Sequence, residues 1–314
     1  MTKLGTSDLD VSRLSLGGNV FGWTADEEAS FAVLDAYTEA GGNFVDTADV
    51  YSAWGDGHVG GESETIIGKW LRSRGNRDRV VVATKVGMLN VGGLDNLKAE
   101  TIATAAENSL RRLGVDHIDL YYAHQDDADT PQEETLAAFD ALVRAGKVRH
   151  VAASNFTADR LTSALAVSER EGFAKYVALQ QHYNLVERGY EGELAEAVAK
   201  AGLSSAPYFS LAKGFLTGKY RPGVEVESVR AGGASAYLDE RGLRVLAVLD
   251  EVAEARGTTV AAVALAWLAA QPTVAAPIAS ARTVEQLADL LPVLELELTA
   301  DEVARLSAAS EPVA

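Results

Sequence analysis

The sequence predicts an α/β fold of the (β/α)8 TIM-barrel type, with an N-terminal β-hairpin and extra helices after the seventh strand and at the C-terminus. Three observations predict it. Eight short apolar runs recur along the chain, each followed by a segment whose apolar residues repeat near every 3.6 positions. The runs are continuously apolar rather than alternating, which implies burial on both faces and therefore parallel pairing. No linker, low-complexity tract or charge block divides the 314 residues, a length that suits one barrel domain of about 250 residues with insertions. An open, doubly wound sheet is the alternative reading of the same alternation.

The elements follow in order. Residues 3–11 read as a hairpin turning at Thr6-Ser7-Asp8, placed to close the N-terminal mouth of the barrel. The strands fall at Leu14–Leu16, Asn43–Val45, Val80–Ala83, Ile118–Ala123, Val148–Ala152, Val177–Gln180, Leu203–Ser205 and Val274–Ile278. Helical patterns such as Ala29–Ala40 and Leu136–Ala145 lie between them, and glycines mark their ends: Gly41-Gly42, Gly75, Gly114, Gly146, Gly172 and Gly202. The stretch 212–258 is long for one connection and holds a Gly-rich loop and a helix at about 236–255. A last helix at about 300–309 is announced by Thr299 with Glu302 three residues on, a capping-box spacing.

Composition narrows the function. Apolar residues make up 47% and charged residues 23%, an ordinary globular balance. There is no cysteine, which excludes disulfides, thiol nucleophiles and Cys-ligated metal centres. The net charge of −17 opposes phosphate backbones and anionic lipid, so neither nucleic acid nor membrane is expected as a partner. The start MTKLGTSDLD lacks a signal-peptide pattern, and the longest apolar run, Val260 to Ala270, is too short to span a bilayer. A cytoplasmic protein is expected, and the Arg- and Ala-rich, Lys-poor usage suggests a bacterial source.

A barrel of this kind builds its active site from the loops after the strands. The second strand ends at Asp46 and its loop carries Tyr51; the third ends at Lys85 and the fourth at His124. A charge closing an apolar strand is costly without a partner, so Asp46 and Lys85 on neighbouring strands suggest an ion pair. A charged Lys beside a Tyr would lower the phenol pKa from about 10, suiting it to protonate a carbonyl oxygen with His124 near that oxygen. Taken singly, each has a plainer reading: a structural ion pair, a packing Tyr, a satisfied core His. Their convergence on three consecutive strands at one end is what favours chemistry.

These residues also carry a resemblance. Gly42-Asn43-Phe44-Val45-Asp46-Thr47-Ala48-Asp49-Val50-Tyr51 resembles the aldo-keto reductase motif in which an aspartate and a tyrosine lie five apart. Ser109–His124 is similar to that family's third helix and fourth strand, as are Gly146–Arg149 with Ser154-Asn155-Phe156, and Gly214–Tyr220. The matches run in order from the hairpin to Gln286. The resemblance implies an NADP(H)-dependent carbonyl/alcohol oxidoreductase with the tetrad Asp46, Tyr51, Lys85 and His124: Tyr51 as proton donor, Lys85 tuning it, Asp46 holding Lys85, His124 orienting the carbonyl.

It implies cofactor contacts in the same way. Gly18, Asn19 and Asp46 fall at the ends of the first two strands; Ser154, Asn155 and Gln180 match contacts to the carboxamide; Tyr208 matches the aromatic stacked on the nicotinamide. Ser210, Leu211, Lys213, Gly214, Leu216, Gly218 and Lys219 match the loop over the pyrophosphate, and Ser280, Arg282 and Gln286 the adenosine end. Barrels often bind phosphate after strands 7 and 8, where Lys213, Lys219, Arg221 and Arg282 cluster in an otherwise acidic chain, and Arg282 is the candidate partner of a 2′-phosphate. Phe21, Trp23 and Trp54, with Tyr51, His124 and His58 of the long loop 52–60, are expected to shape a pocket for a sugar or an aromatic carbonyl. Four positions depart from the family pattern: Asp289 and Leu290 where Glu and Asn are usual, Ser210 where Pro is, and Ala153 where Gly is. Leu290 cannot hydrogen-bond adenine.

Gly55–Gly60 spells GxGxxG, yet strand 2 stops at Asp46, well before it, so a Rossmann loop is not supported. The five histidines show no metal-ligand spacing, and no metal is expected. The rival from another class is a regulatory NADP(H)-binding module resembling channel β subunits. Residues 221–235, polar and weakly patterned, read as a mobile lid over the cofactor.

Overall fold

The computed structural model describes residues 1–228 and 231–311. A two-stranded antiparallel hairpin, β1 (Thr2–Lys3) and β2 (Asp10–Val11), precedes eight parallel strands. These are β3 (Ser15–Gly17), β4 (Phe44–Asp46), β5 (Val81–Val86), β6 (Ile118–Ala123), β7 (Val148–Ser154), β8 (Tyr176–Gln180), β9 (Ser204–Ser205) and β10 (Ile278–Ala279). Their spatial order is the chain order, with β10 beside β3. The ring closes between β9 and the segment before β10. There Ser205 pairs with Val274, its N–H donating to Thr273 O at 2.7 Å and its carbonyl accepting from Ala275 N at 2.9 Å. The alternation therefore resolves as a barrel rather than an open sheet.

Helices α1 (Glu27–Glu39), α2 (Glu62–Arg74), α3 (Ala99–Leu113), α4 (Gln132–Arg144), α5 (Ala158–Glu171) and α6 (Glu193–Lys200) return the chain after β4's predecessor and each strand up to β8. Gly75, Gly114 and Gly172 end α2, α3 and α5 in the left-handed conformation at φ 58°, 64° and 69°. Two cores result. One lies between the sheet and the helices, with Trp70, Tyr121, Phe139 and Trp267 among its largest members. The other fills the barrel interior, where Phe44, Ala83, Leu120, Tyr122, Ala152 and Ala178 meet Leu4, Leu9 and Val11 of the hairpin. The hairpin thus plugs the N-terminal mouth. A Cβ on Gly5 would lie 2.0 Å from Val177 O, so only glycine lets the plug approach so closely.

The long connection after β9 adds α7 (Ala231–Ser235) before the expected helix, α8 (Glu240–Arg256), and α9 (Val260–Ala269) after it. Part of the stretch 221–235 is thus helical; residues 229–230, inside the expected lid, lie outside the described residues. Helix α10 (Val284–Ala288) follows β10, and α11 (Ala300–Ala309) ends the described chain with the expected Thr299–Glu302 capping box formed. The eighth strand begins later than the apolar run because Pro277 has no N–H to contribute to the ladder. Among the described residues no single helix is long and apolar enough to cross a bilayer.

Candidate active site

Parallel pairing aligns the strand ends, so the polar residue closing each apolar run emerges at one mouth. Asp46 ends β4, Lys85 is the penultimate residue of β5, His124 follows β6, Ser154 ends β7 and Gln180 ends β8. Lys85 is 0% exposed and all three of its ammonium protons are used: on Asp46 Oδ2 at 2.7 Å, Thr47 O at 2.8 Å and Tyr51 Oη at 2.8 Å. Tyr51 Oη donates in turn to Asp46 Oδ2 at 3.0 Å, and Gln180 Nε2 donates to Asp46 Oδ1 at 2.9 Å. The His124 ring lies edge-on to Tyr51, centroids 6.1 Å apart, with its Nδ1 buried and without a protein partner.

The electrostatics correct one expectation. Lys85 was to lower the Tyr51 pKa; instead burial, and then the Asp46 carboxylate, hold Tyr51 well above its ordinary value. Burial pushes the Lys85 ammonium down, against the attraction of Asp46. Burial, and then Lys85, push His124 well below the usual imidazole value, so it is neutral. The result is a phenol that keeps its proton, a long bond to Asp46 from which that proton can turn, and an uncharged imidazole beside it.

Asp46, Tyr51 and His124, with Lys85 buried behind them, line a cavity of about 650 Å³ whose wall also includes Trp54 and Arg282. Of the residues singled out in the sequence, Asn19, Asp46, Tyr51, Trp54, His124, Ser154, Asn155 and Gln180 line it. So do Tyr208, Ser210, Leu211, Lys213, Gly214, Lys219, Ser280, Arg282 and Gln286. Tyr208 stacks on His182, 5.5 Å and 15° between rings, and its hydroxyl donates to Asn155 Oδ1 at 2.8 Å, so its face is held rigidly. Asn155 (φ 57°), Phe209 (φ 50°), Ala212 (φ 48°) and Lys213 (φ 58°) all adopt left-handed conformations that non-glycine residues rarely take. Such strain persists only where the surrounding structure holds it, and here it bends the chain around the cavity wall. Arg282 makes no ion pair among the described residues.

Other sequence-selected residues lie elsewhere. Phe21 is 0% exposed and packs in the core, its carbonyl accepting from Ser52 Oγ, so it supports the loop rather than facing the cavity. Trp23 backs Trp54 edge-on at 5.7 Å instead of lining the cavity itself. Gly18 is a backbone contact, its N–H on Asp46 O; Leu216 is buried in the core; Gly218 caps the turn after Thr217. Arg221 is turned away to Asp250 at 2.7 Å. The sequence reading missed Met88 and Phe209, which line the mouth, and Val50 and Thr217 within it. No periodicity marks these positions.

Comparison with known proteins identifies the family. A family model described as "Aldo/keto reductase family" matches residues 13–311. An uncharacterized oxidoreductase of Bacillus subtilis, YrpG, is 38% identical, covering 95% of this chain and 91% of that protein. The norsolorinic acid reductase stcV of Emericella nidulans is 34% identical over 93% of this chain and 76% of its own. A protein of Oryza sativa named as a probable voltage-gated potassium channel subunit beta is 32% identical over 94% and 90%.

Proposed function

The chain belongs to the aldo/keto reductase family, and from that premise we propose that it is an NADP(H)-dependent reductase of an aldehyde or ketone in which Tyr51 donates the proton. The observation that carries the reading is the Lys85–Tyr51–Asp46 triangle, closed by bonds of 2.7, 2.8 and 3.0 Å, at the floor of the cavity.

The cavity fits a dinucleotide by its donor set. Lys213, Lys219 and Arg282 gather at one end in a chain of net charge −17, and the flat face of Tyr208 stands toward the other, near Ser154, Asn155 and Gln180. Ser154, Asn155 and Gln180 would hold the carboxamide, Tyr208 the ring, and Lys213, Lys219 and Arg282 the phosphates. When bound, NADPH supplies the two-electron reducing equivalent. The chain's own residues do the rest. His124, neutral, can hydrogen-bond the carbonyl oxygen. Tyr51 turns its O–H from Asp46 to that oxygen, and Lys85, bonded to Oη, stabilises the phenolate left behind. Asp46 keeps Lys85 charged at this depth.

For the substrate, the half-exposed Trp54, Met88 and Phe209 at the mouth favour an uncharged carbonyl compound with an apolar or aromatic body. A relative named as a norsolorinic acid reductase supports reduction as the direction of the reaction. The likeness to a channel β subunit favours a second reading, a cofactor-binding module with little turnover. A panel of aromatic, aliphatic and sugar carbonyls, followed by NADPH absorbance, tests both: turnover is expected on aromatic aldehydes or ketones. Tight NADPH binding with no turnover on the panel would favour the second reading.

A further inference from the structure

One buried acid has no part in the triangle. Asp49 is 0% exposed, and neither of its carboxyl oxygens has a hydrogen-bond partner in the protein. It is tied to the tetrad through the backbone, its N–H donating to Lys85 O at 3.3 Å. We propose that Asp49 is a positioning residue for the Lys85–Tyr51 proton-transfer pair, adding a second negative charge beside Lys85 only when it loses its own proton.

The geometry around Asp49 carries this. The charged and titratable groups that face it are Glu64 from α2, Arg112 from α3, Lys85 from β5 and Tyr121 from β6. Glu64 takes the available donors: Arg112 Nε at 2.6 Å and Thr84 Oγ1 at 2.5 Å. Lys85 has spent all three protons on Asp46, Thr47 and Tyr51. Two acids thus share one guanidinium, and the one without a donor is Asp49. An ionised carboxylate buried without a donor costs several kcal/mol, and holding a proton avoids that cost. Burial first, then Glu64, raise the Asp49 carboxyl to about 8.

The consequence for the pair follows by sign. At neutral pH Asp49 is a neutral acid, and Lys85 is balanced by Asp46 first, with Glu64 adding to it. Above about pH 8 Asp49 becomes a carboxylate. Its charge then favours the protonated forms of both Lys85 and Tyr51, extending the range in which Tyr51 can give a proton to a carbonyl. It also delays formation of the tyrosinate that alcohol oxidation needs.

The inference about catalysis rests on the proton-donor role proposed for Tyr51; the inference about the Asp49 proton does not. The test uses Asp49→Asn, with the smaller neutral Asp49→Ser as a second variant. In cofactor-free protein, the melting temperature of either variant is expected to gain on wild type by about 5–10 °C between pH 5 and 8, then level off. The sign follows because the raised folded pKa makes the wild type lose stability as pH rises from the unfolded carboxylate range to about 8. In turnover assays, the alkaline fall of kcat for reduction and its rise for oxidation are both expected about 0.5–1 pH unit lower in the variants, with KM unmoved. A melting gap that does not change between pH 5 and 8 overturns the proposal. So does a pH-dependent gap with an unshifted kcat profile. If no carbonyl is turned over at all, it is the reductase reading that fails, and the melting comparison still decides whether Asp49 holds a proton.

Discussion

The two mouths of this barrel each carry buried acids, and they are treated in opposite ways. At the N-terminal mouth Asp119, 2% exposed, is met by an arginine on each oxygen. Arg77 at 2.8 Å and Val82 N at 2.9 Å meet Oδ2; Arg149 at 2.9 Å and His117 at 3.5 Å meet Oδ1. Asp8 of the hairpin turn adds Arg149 and His150 at 3.0 and 2.6 Å. At the C-terminal mouth Asp49 has no donor, His124 leaves Nδ1 unpaired and Tyr51 rests on a 3.0 Å bond. One end spends its charged groups on holding the hairpin plug; at the other, Tyr51 and His124 line a cavity, one on a bond it can exchange and one with a ring nitrogen that no protein group meets. Charge alone does not mark a site, since both ends are charged. Polar groups free to change partner on the wall of a cavity do.

Five substitutions sharpen that contrast. The largest effect is expected from Tyr51→Phe, which removes the donated proton and little else: kcat should fall by about 10²–10⁴-fold while NADPH affinity, measured by fluorescence titration, stays near wild type. Near-normal turnover would remove Tyr51 from the chemistry. The charged pairs at the two ends should then separate stability from function. Lys85→Met strands Asp46 and should cost about 3–5 kcal/mol in denaturant unfolding as well as abolishing turnover. Asp119→Asn at the other mouth should cost about 1.5–3 kcal/mol and leave kcat per folded molecule near wild type, its guanidinium partners being partly solvated. A large loss of kcat in Asp119→Asn would mean that the two mouths are coupled.

Cofactor choice is a finer test. Arg282→Ala should weaken NADPH binding by about 1.5–3 kcal/mol and barely change NADH binding; equal losses for both would show that Arg282 does not read a 2′-phosphate. The smallest effect belongs to the periphery. Glu302 is held down to about 2, by Arg256 first and by the Thr299 cap. Its contribution is complete above the unfolded carboxylate range and fades as pH falls toward 2. Thr299→Ala should cost about 1 kcal/mol at neutral pH, with the difference from wild type shrinking in acid; a difference that grows in acid would contradict the assignment.

The tetrad was legible because a charged or polar residue closing an apolar strand is conspicuous, and Asp46, Lys85 and His124 each do so. The glycine stops and the Thr299 capping box were legible because they are local. What failed was set by distant partners. Phe21 reads as a loop aromatic until Ser52 and the core enclose it, and Arg221 as a phosphate ligand until Asp250, 29 residues away, claims it. The direction of the Tyr51 pKa also escaped the sequence. Pairing with Lys85 is visible in the strand order, but depth of burial is a property of the assembled barrel, and it prevails.

The ring of strands is uneven. β6 and β7 pair along five residues, whereas β9 and β10 are two residues each and the ring closes through Ser205 and Val274. The seam is thus the stretch with the fewest rungs, and its amide protons are the ones expected to exchange with solvent first. Tyr208 and Ser210 stand on one side of it, Ser280 and Arg282 on the other, all facing the same cavity. A molecule spanning them acts as an added rung. Whatever fills the cavity therefore fastens the barrel shut, and deuterium uptake at Ser204–Ala206 and Ile278–Ala279 becomes a direct gauge of occupancy, independent of any reaction.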